Sequence, residues 1–139
     1  MREAQETIGT VIVLEPDVIV RMEIGDYLRE CGYRVIEGVA ARDAHAVLQT
    51  DTRVDLLLTE VNLRGEPGGF ELAQAIRQTR PEIAVILVSG ISNVVQKAHD
   101  LCGQSPVKKP YRPEDIERRI RALLTMQQRR GPQAAGGKG

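Results

Sequence analysis

Short runs of β-branched and aliphatic residues alternate along this chain with longer stretches of helical period, and no other feature narrows its fold as much. VIVL, LLLT and AVILV are almost wholly apolar, as strands covered on both faces must be. A strand that continues into a helix and then another strand makes a parallel sheet. The spacing predicts five strands, at 11–14, 34–37, 55–59, 84–88 and a short one around Val107 and Lys108. Pro106 removes a ladder donor, so the last should be an edge strand or start only after it.

Five helical stretches follow these strands. The first, about 18–31, has Ile19, Met22, Tyr27 and Leu28 marking a buried side and Gly32 as a stop. The second spans about 40–49. A Gly-rich loop, RGEPGG, leads into the third at 70–78, where Phe70, Ala73, Ile76 and Arg77 set the period before Pro81 forces the exit. The fourth, about 92–101, is weak because Ser92, Asn93, Val94 and Val95 have modest helix propensity. The fifth starts after Pro113 with Glu114 and Asp115 in its first turn and should end near Gln128. The reading is one α/β domain over 10–128, a doubly wound parallel sheet, with a short extension at 1–9 and a Gly-rich disordered tail at 129–139.

In 139 residues, a hydrophobic content of 42% builds one ordinary core. Nineteen basic and nineteen acidic side chains cancel, so no global charge draws the chain to nucleic acid or an anionic membrane. The partner is expected to be another protein. Cys31 and Cys102 show neither metal spacing nor a disulfide framework, which suits a reducing cytoplasm. With no apolar signal core and no membrane-length run, the chain reads as soluble and intracellular. His45 and His99 lack acidic or cysteine partners at ligand spacing and read as surface residues.

The chemistry-bearing residues cluster just past the strands. LLLTE ends in Glu60, VILVSG in Ser89 and Gly90, and Lys109 follows the short last strand ahead of Pro110. In an open parallel sheet the carboxyl ends of the strands gather at one edge, so these groups should converge. A carboxylate, a hydroxyl and an amine at one crevice suit phosphoryl chemistry or its remnant.

VIVLEPD, LLLTEVNL, PEIAVILVSG and VKKPYRPEDI, in this order, resemble the receiver domain of bacterial response regulators, of which CheY is typical. The resemblance implies a flavodoxin-like (βα)5 fold whose members take a phosphoryl group from a histidine kinase onto a strand-end aspartate. A magnesium ion held by an acidic pair neutralises the developing charge in that chemistry. By resemblance, Lys109 balances phosphoryl oxygens, Ser89 is the hydroxyl that couples to loop movement, and Asn62 offers a backbone carbonyl to the metal.

The departures fall where that chemistry is most demanding. Glu60 replaces the nucleophilic Asp and carries the carboxylate about 1.5 Å further out. Misplacement on that scale costs about a hundredfold in rate. Glu15 matches the first acid of the metal pair, but Pro16 holds the second position, and Asp17 arrives one residue late. An Asp ahead of a helix is more often an N-cap than a metal ligand. Pro106 stands where an aromatic switch residue is common, and Arg64 where a proline follows the acceptor loop.

The sequence therefore reads as a single-domain response regulator of a phosphorelay, not an enzyme. It would act by binding a sensor histidine kinase or another regulator, with little or no phosphorylation and with magnesium doubtful. Glu60 is then either a fixed charge standing in for the phosphorylated state or a remnant. The alternative is a competent receiver phosphorylated at Glu60, with magnesium on Glu15 and Asp17; a small hydrolase on the same fold is a third reading. The resemblance also implies a homodimer through the fourth helix, fifth strand and fifth helix. There the charged run Arg118, Arg119 and Arg121, beside Glu114, Asp115 and Glu117, is either a subunit interface or a solvated face.

Overall fold

The computed structural model describes residues 7–90 and 107–137, with side chains described as far as residue 127. Strands β1 (Thr10–Leu14), β2 (Arg34–Gly38), β3 (Leu56–Glu60), β4 (Ala84–Ser89) and β5 (Val107–Lys108) alternate with helices α1 (Val18–Glu30), α2 (Ala41–Leu48), α3 (Gly69–Thr79) and, after β5, α4 (Pro113–Gly137). The expected helix at 92–101, together with His99, Cys102 and Pro106, lies outside the described residues.

The strands form one parallel sheet in the order β2-β1-β3-β4-β5. From β1 the chain goes to β2 on one side, then crosses to β3 on the other. The order thus reverses between β1 and β3, and the crevice beyond their carboxyl ends is the switch point where this architecture places ligands. β5 stands at the edge of the sheet, paired with β4 alone among the described strands.

Alternate residues of each strand enter separate cores. Ile12, Leu14, Leu57, Val85 and Leu87 meet Ala41 and Ala44 of α2 and Phe70, Ala73 and Ile76 of α3. Val11, Val13, Leu56, Leu58, Ile86 and Val88 meet Ile24 and Leu28 of α1 and Ile116 and Ile120 of α4. Both faces are covered, which is why β1 and β3 are buried at every position.

Three details differ from the sequence reading. Ile19 and Met22 do not face the sheet: they are 69% and 51% exposed, and α1 seats through Ile24 and Leu28 instead, with Tyr27 packed beside them. The apolar stripe of α1 has two phases, and the one a full turn apart at Ile24 and Leu28 wins the core. In α3 it is Leu72, not Arg77, that joins Phe70, Ala73 and Ile76 in the buried stripe. Finally, α4 continues past Gln128 through Gly131 and Pro132 to Gly137.

Candidate functional site

Glu15 follows β1, Glu60 ends β3 and Lys109 follows β5, so the strands deliver three charged side chains to one edge of the sheet. The Lys109 Nζ lies 2.7 Å from Glu15 Oε1 and 2.6 Å from Glu60 Oε1. One ammonium therefore bridges the two carboxylates across the switch point. Both are nearly closed to water, Glu15 at 4% and Glu60 at 6% exposure. Carboxylates this deep persist as charges only when paired and hydrogen-bonded.

The second oxygen of each glutamate is also occupied, and in the same way. Glu15 Oε2 accepts the backbone N–H of Asp17 at 3.0 Å, and Glu60 Oε2 accepts that of Asn62 at 3.0 Å. Each side chain turns back over the residue two positions on and fixes the loop that follows its strand. Arg21 adds a second cation to this edge: its Nη1 donates to the Glu15 carbonyl at 2.7 Å, and its Nε sits 3.4 Å from Glu37 Oε1. No local pattern in the chain marks Arg21, whose place depends on the pitch of α1 over β1 and β2.

Backbone contacts hold Glu60 in place from behind. The Val61 N–H donates to Val88 O and the Gly69 N–H to Val61 O, both at 2.9 Å. A Cβ at position 69 would collide with the Glu60 carbonyl oxygen and lie 2.8 Å from Val61 Cα, so the first residue of α3 must be glycine for the helix to sit this close. Arg64, in the position expected for proline, uses the N–H a proline would lack to reach Val39 O at 3.3 Å.

Burial pulls the Lys109 pKa down, but hydrogen bonds to Glu15 and Glu60 outweigh it and leave the ammonium held above its ordinary value. Tyr111, two residues on, is pushed far above the usual phenol range by burial and by the charges of Glu15, Glu23 and Glu60. It stays a neutral phenol packed on the α1–α4 core.

The other expected residues divide. Asp17 is the N-cap of α1, its Oδ1 accepting from Ile19 N at 2.9 Å and Val20 N at 3.2 Å. It shares an open crevice with Glu15, Pro16, Glu60, Asn62, Gly90 and Lys109. Ser89 ends β4 buried at 2% exposure, and Gly90 lines the crevice in its place; the Ser89 carbonyl accepts the Lys109 N–H at 3.2 Å.

A magnesium ion asks for about six oxygens in near-octahedral array. Here Pro16 offers no side-chain oxygen, Asp17 caps a helix and the glutamate oxygens are bonded to Lys109 and to backbone N–H groups. Among the described residues no group of three or more His, Cys, Asp or Glu is arranged to hold a metal ion. The donor set does not fit the ion.

Compared with known proteins, residues 11–121 match the model of the response regulator receiver domain. The chain belongs to that family. This receiver is 30% identical over 115 residues to the uncharacterized transcriptional regulatory protein YbdJ of Bacillus subtilis, covering 82% of this chain and 50% of that protein. It is 30% identical over 120 residues to the transcriptional regulatory protein AruR of Pseudomonas aeruginosa, covering 82% and 48%. The receiver thus spans about half the length of these relatives. Among solved structures, a CheY-like receiver domain protein of Methanospirillum hungatei superposes with a TM-score of 0.77 at 21% identity, over 88% of this chain and 98% of that one. The BeF3-activated DrrB receiver domain gives 0.72 at 24%, over 86% and 99%. The flavodoxin-like receiver fold is therefore shared, and the protein is a two-component receiver. No helix among its described residues is long and apolar enough to cross a membrane.

Proposed function

We propose that this receiver signals by binding a sensor histidine kinase or another response regulator, in one fixed state of its site, with little or no phosphoryl transfer. The observation that carries this is the Lys109 bridge between Glu15 and Glu60. The nucleophile position is occupied by a longer carboxylate already engaged on both oxygens. Transfer to Glu60 would require breaking the bond to Lys109 in a site short of metal ligands.

The partner's side of the reading draws on α1. Val18, Ile19 and Met22 are each about half exposed or more, on the first turns of the helix that leaves the crevice through Pro16 and Asp17. Exposed aliphatic side chains this close to the crevice suit a protein contact. Competent phosphorylation at Glu60 with magnesium on Glu15 and Asp17 has less support, because Asp17 is spent on the helix cap.

Intact mass after incubation with acetyl phosphate and magnesium tests the reading on the native protein, on Glu60→Ala and on the Pro16→Asp, Glu60→Asp double variant. Modification of the double variant alone is the expected result. A phosphoryl adduct on the native protein that Glu60→Ala abolishes would sink the proposal. Binding to histidine kinases of the same genome should be insensitive to phosphodonor and should be lost in Ile19→Glu without a fall in Tm.

A further inference from the structure

Arg21, Gly25 and Arg29 stand a turn apart on α1 and so form one row along the flank of the helix that meets β2. The Glu37 carboxylate lies in the gap that Gly25 leaves: a Cβ there would stand 2.7 Å from Glu37 Oε2. On one side Arg29 Nη1 holds Oε2 at 2.8 Å and also lies 3.4 Å from Asp26. On the other side Arg21 Nε faces Oε1 at 3.4 Å. The Arg21 and Glu37 side chains are only 19% and 23% exposed, so this is more than a screened surface pair.

Both arginines also grip backbone. In β2 the Arg34 N–H and the Gly38 carbonyl bond to the β1 side, so Val35 turns its own backbone groups to the open edge of the sheet. Arg29 Nη2 donates to that outward Val35 carbonyl at 3.2 Å and ties the body of α1 to the edge. Arg21 Nη1 donates to the Glu15 carbonyl at 2.7 Å, at the head of the loop Glu15–Pro16–Asp17 that opens the helix. Pro16 brings no N–H to that loop, which makes each remaining tie count for more. Val18, Ile19 and Met22, the exposed aliphatic face, follow directly on the turns that these ties hold. We infer that Glu37 is a positioning residue for that face. Through Arg21 it fixes the loop that opens α1, and through Arg29 it fixes the helix flank, so that the three side chains are presented to a partner in one preset arrangement.

The inference rests on the proposed function only for the use made of that face, so its test is made on the free protein. Binding stands or falls on Ile19→Glu whatever the free protein shows. Amide hydrogen exchange is followed residue by residue by nuclear magnetic resonance in the native chain, Glu37→Ala and Gly25→Ala. In both variants the Asp17, Ile19 and Val20 amides should exchange about tenfold faster, while those of Ala73 and Ile76 in α3 keep their native rates. Gly25→Ala is the sharper variant. Alanine raises helix propensity, and the only group it forces aside is the tip of the Glu37 side chain, so the helix gains locally while its opening loop loosens. The Arg21→Ala, Glu37→Ala double variant should exchange no faster at these amides than Glu37→Ala, because the two changes cut the same link. Native rates at the loop in either single variant overturn the inference. So do a rise shared equally by α3, which would make Glu37 a contributor to stability alone, additive effects in the double variant, and a Glu37→Ala chain that does not fold.

Discussion

Asp17 shows how one residue's neighbours decide between two chemistries that its side chain serves equally well. Its Oδ1 closes the first turn of α1 through Ile19 N and Val20 N. Asp17→Ala should therefore cost about 1 kcal/mol in urea unfolding, the usual worth of an N-cap, and leave magnesium response unchanged. A stability change confined to magnesium-containing buffer would mark it as a ligand instead. Lys109 makes a pH prediction of definite sign. Its pKa is raised in the folded state, so its contribution is fully present below the unfolded lysine value, about 10.4, and is lost as pH rises through the higher folded value. The Tm gap between native protein and Lys109→Met should hold steady from neutral pH to about pH 10 and narrow only above it. Narrowing that begins near pH 8 would contradict the geometry. Gly69 makes a steric one: Gly69→Ala forces α3 away from Glu60 and should cost about 1–3 kcal/mol, read from the denaturant midpoint.

At the scale of elements, α1 and α4 are fastened by a polar contact inside an apolar seam. The Tyr33 hydroxyl, on a residue 3% exposed just past α1, donates to Glu117 Oε2 at 2.9 Å, and Arg121 closes on the same oxygen at 2.7 Å. Burial and the bond to Glu117 hold the Tyr33 hydroxyl protonated well beyond the usual range. The charged run on α4 is thus partly consumed within the chain: Glu117 and Arg121 serve Tyr33, and Arg118 pairs with Asp115 at 3.1 Å. Tyr33→Phe removes one donor and leaves Glu117 its arginine, so the expected loss is about 1 kcal/mol, measured by urea titration. A loss beyond about 3 kcal/mol would mean that Tyr33 alone keeps Glu117 satisfied. The apolar residues of α4 are similarly spent, Ile116 and Ile120 in the core and Leu123 and Leu124 packed against it, with Met126 half exposed. The face expected to pair two copies also includes the stretch outside the described residues.

For the molecule as a whole, the sheet is the shared wall of two cores, and damage on one side should be felt on both. Ile120→Ala opens a cavity under α4 at a fully buried position and should cost about 2–5 kcal/mol. Far-ultraviolet circular dichroism and the combined fluorescence of Tyr27, Tyr33 and Tyr111, all packed with the core under α1 and α4, should report one shared transition, as expected of a domain of this size. Separate transitions would show that the two faces of the sheet unfold independently.

What the residues disclose about this protein depends on which information is local. Strand periodicity, the double covering implied by wholly apolar runs, and the switch-point edge carrying Glu15, Glu60, Ser89 and Lys109 all follow from neighbours in sequence, because backbone sterics and burial act residue by residue. Pro106 likewise pointed to an edge position for the last strand, which β5 occupies. The phase of α1 was not legible, since Ile19 and Met22 compete with Ile24 and Leu28 and only the sheet beneath decides between them. Nor were the Tyr33–Glu117 bond, across 84 positions, or the place of Arg21. Which oxygens Lys109 would bind was equally hidden, because the reach of a side chain means nothing until three strands set the spacing of their ends. Local patterning specifies the architecture and the chemical types at the crevice, whereas tertiary packing sets their partners, because electrostatic pairing depends on distances that only the closed sheet defines.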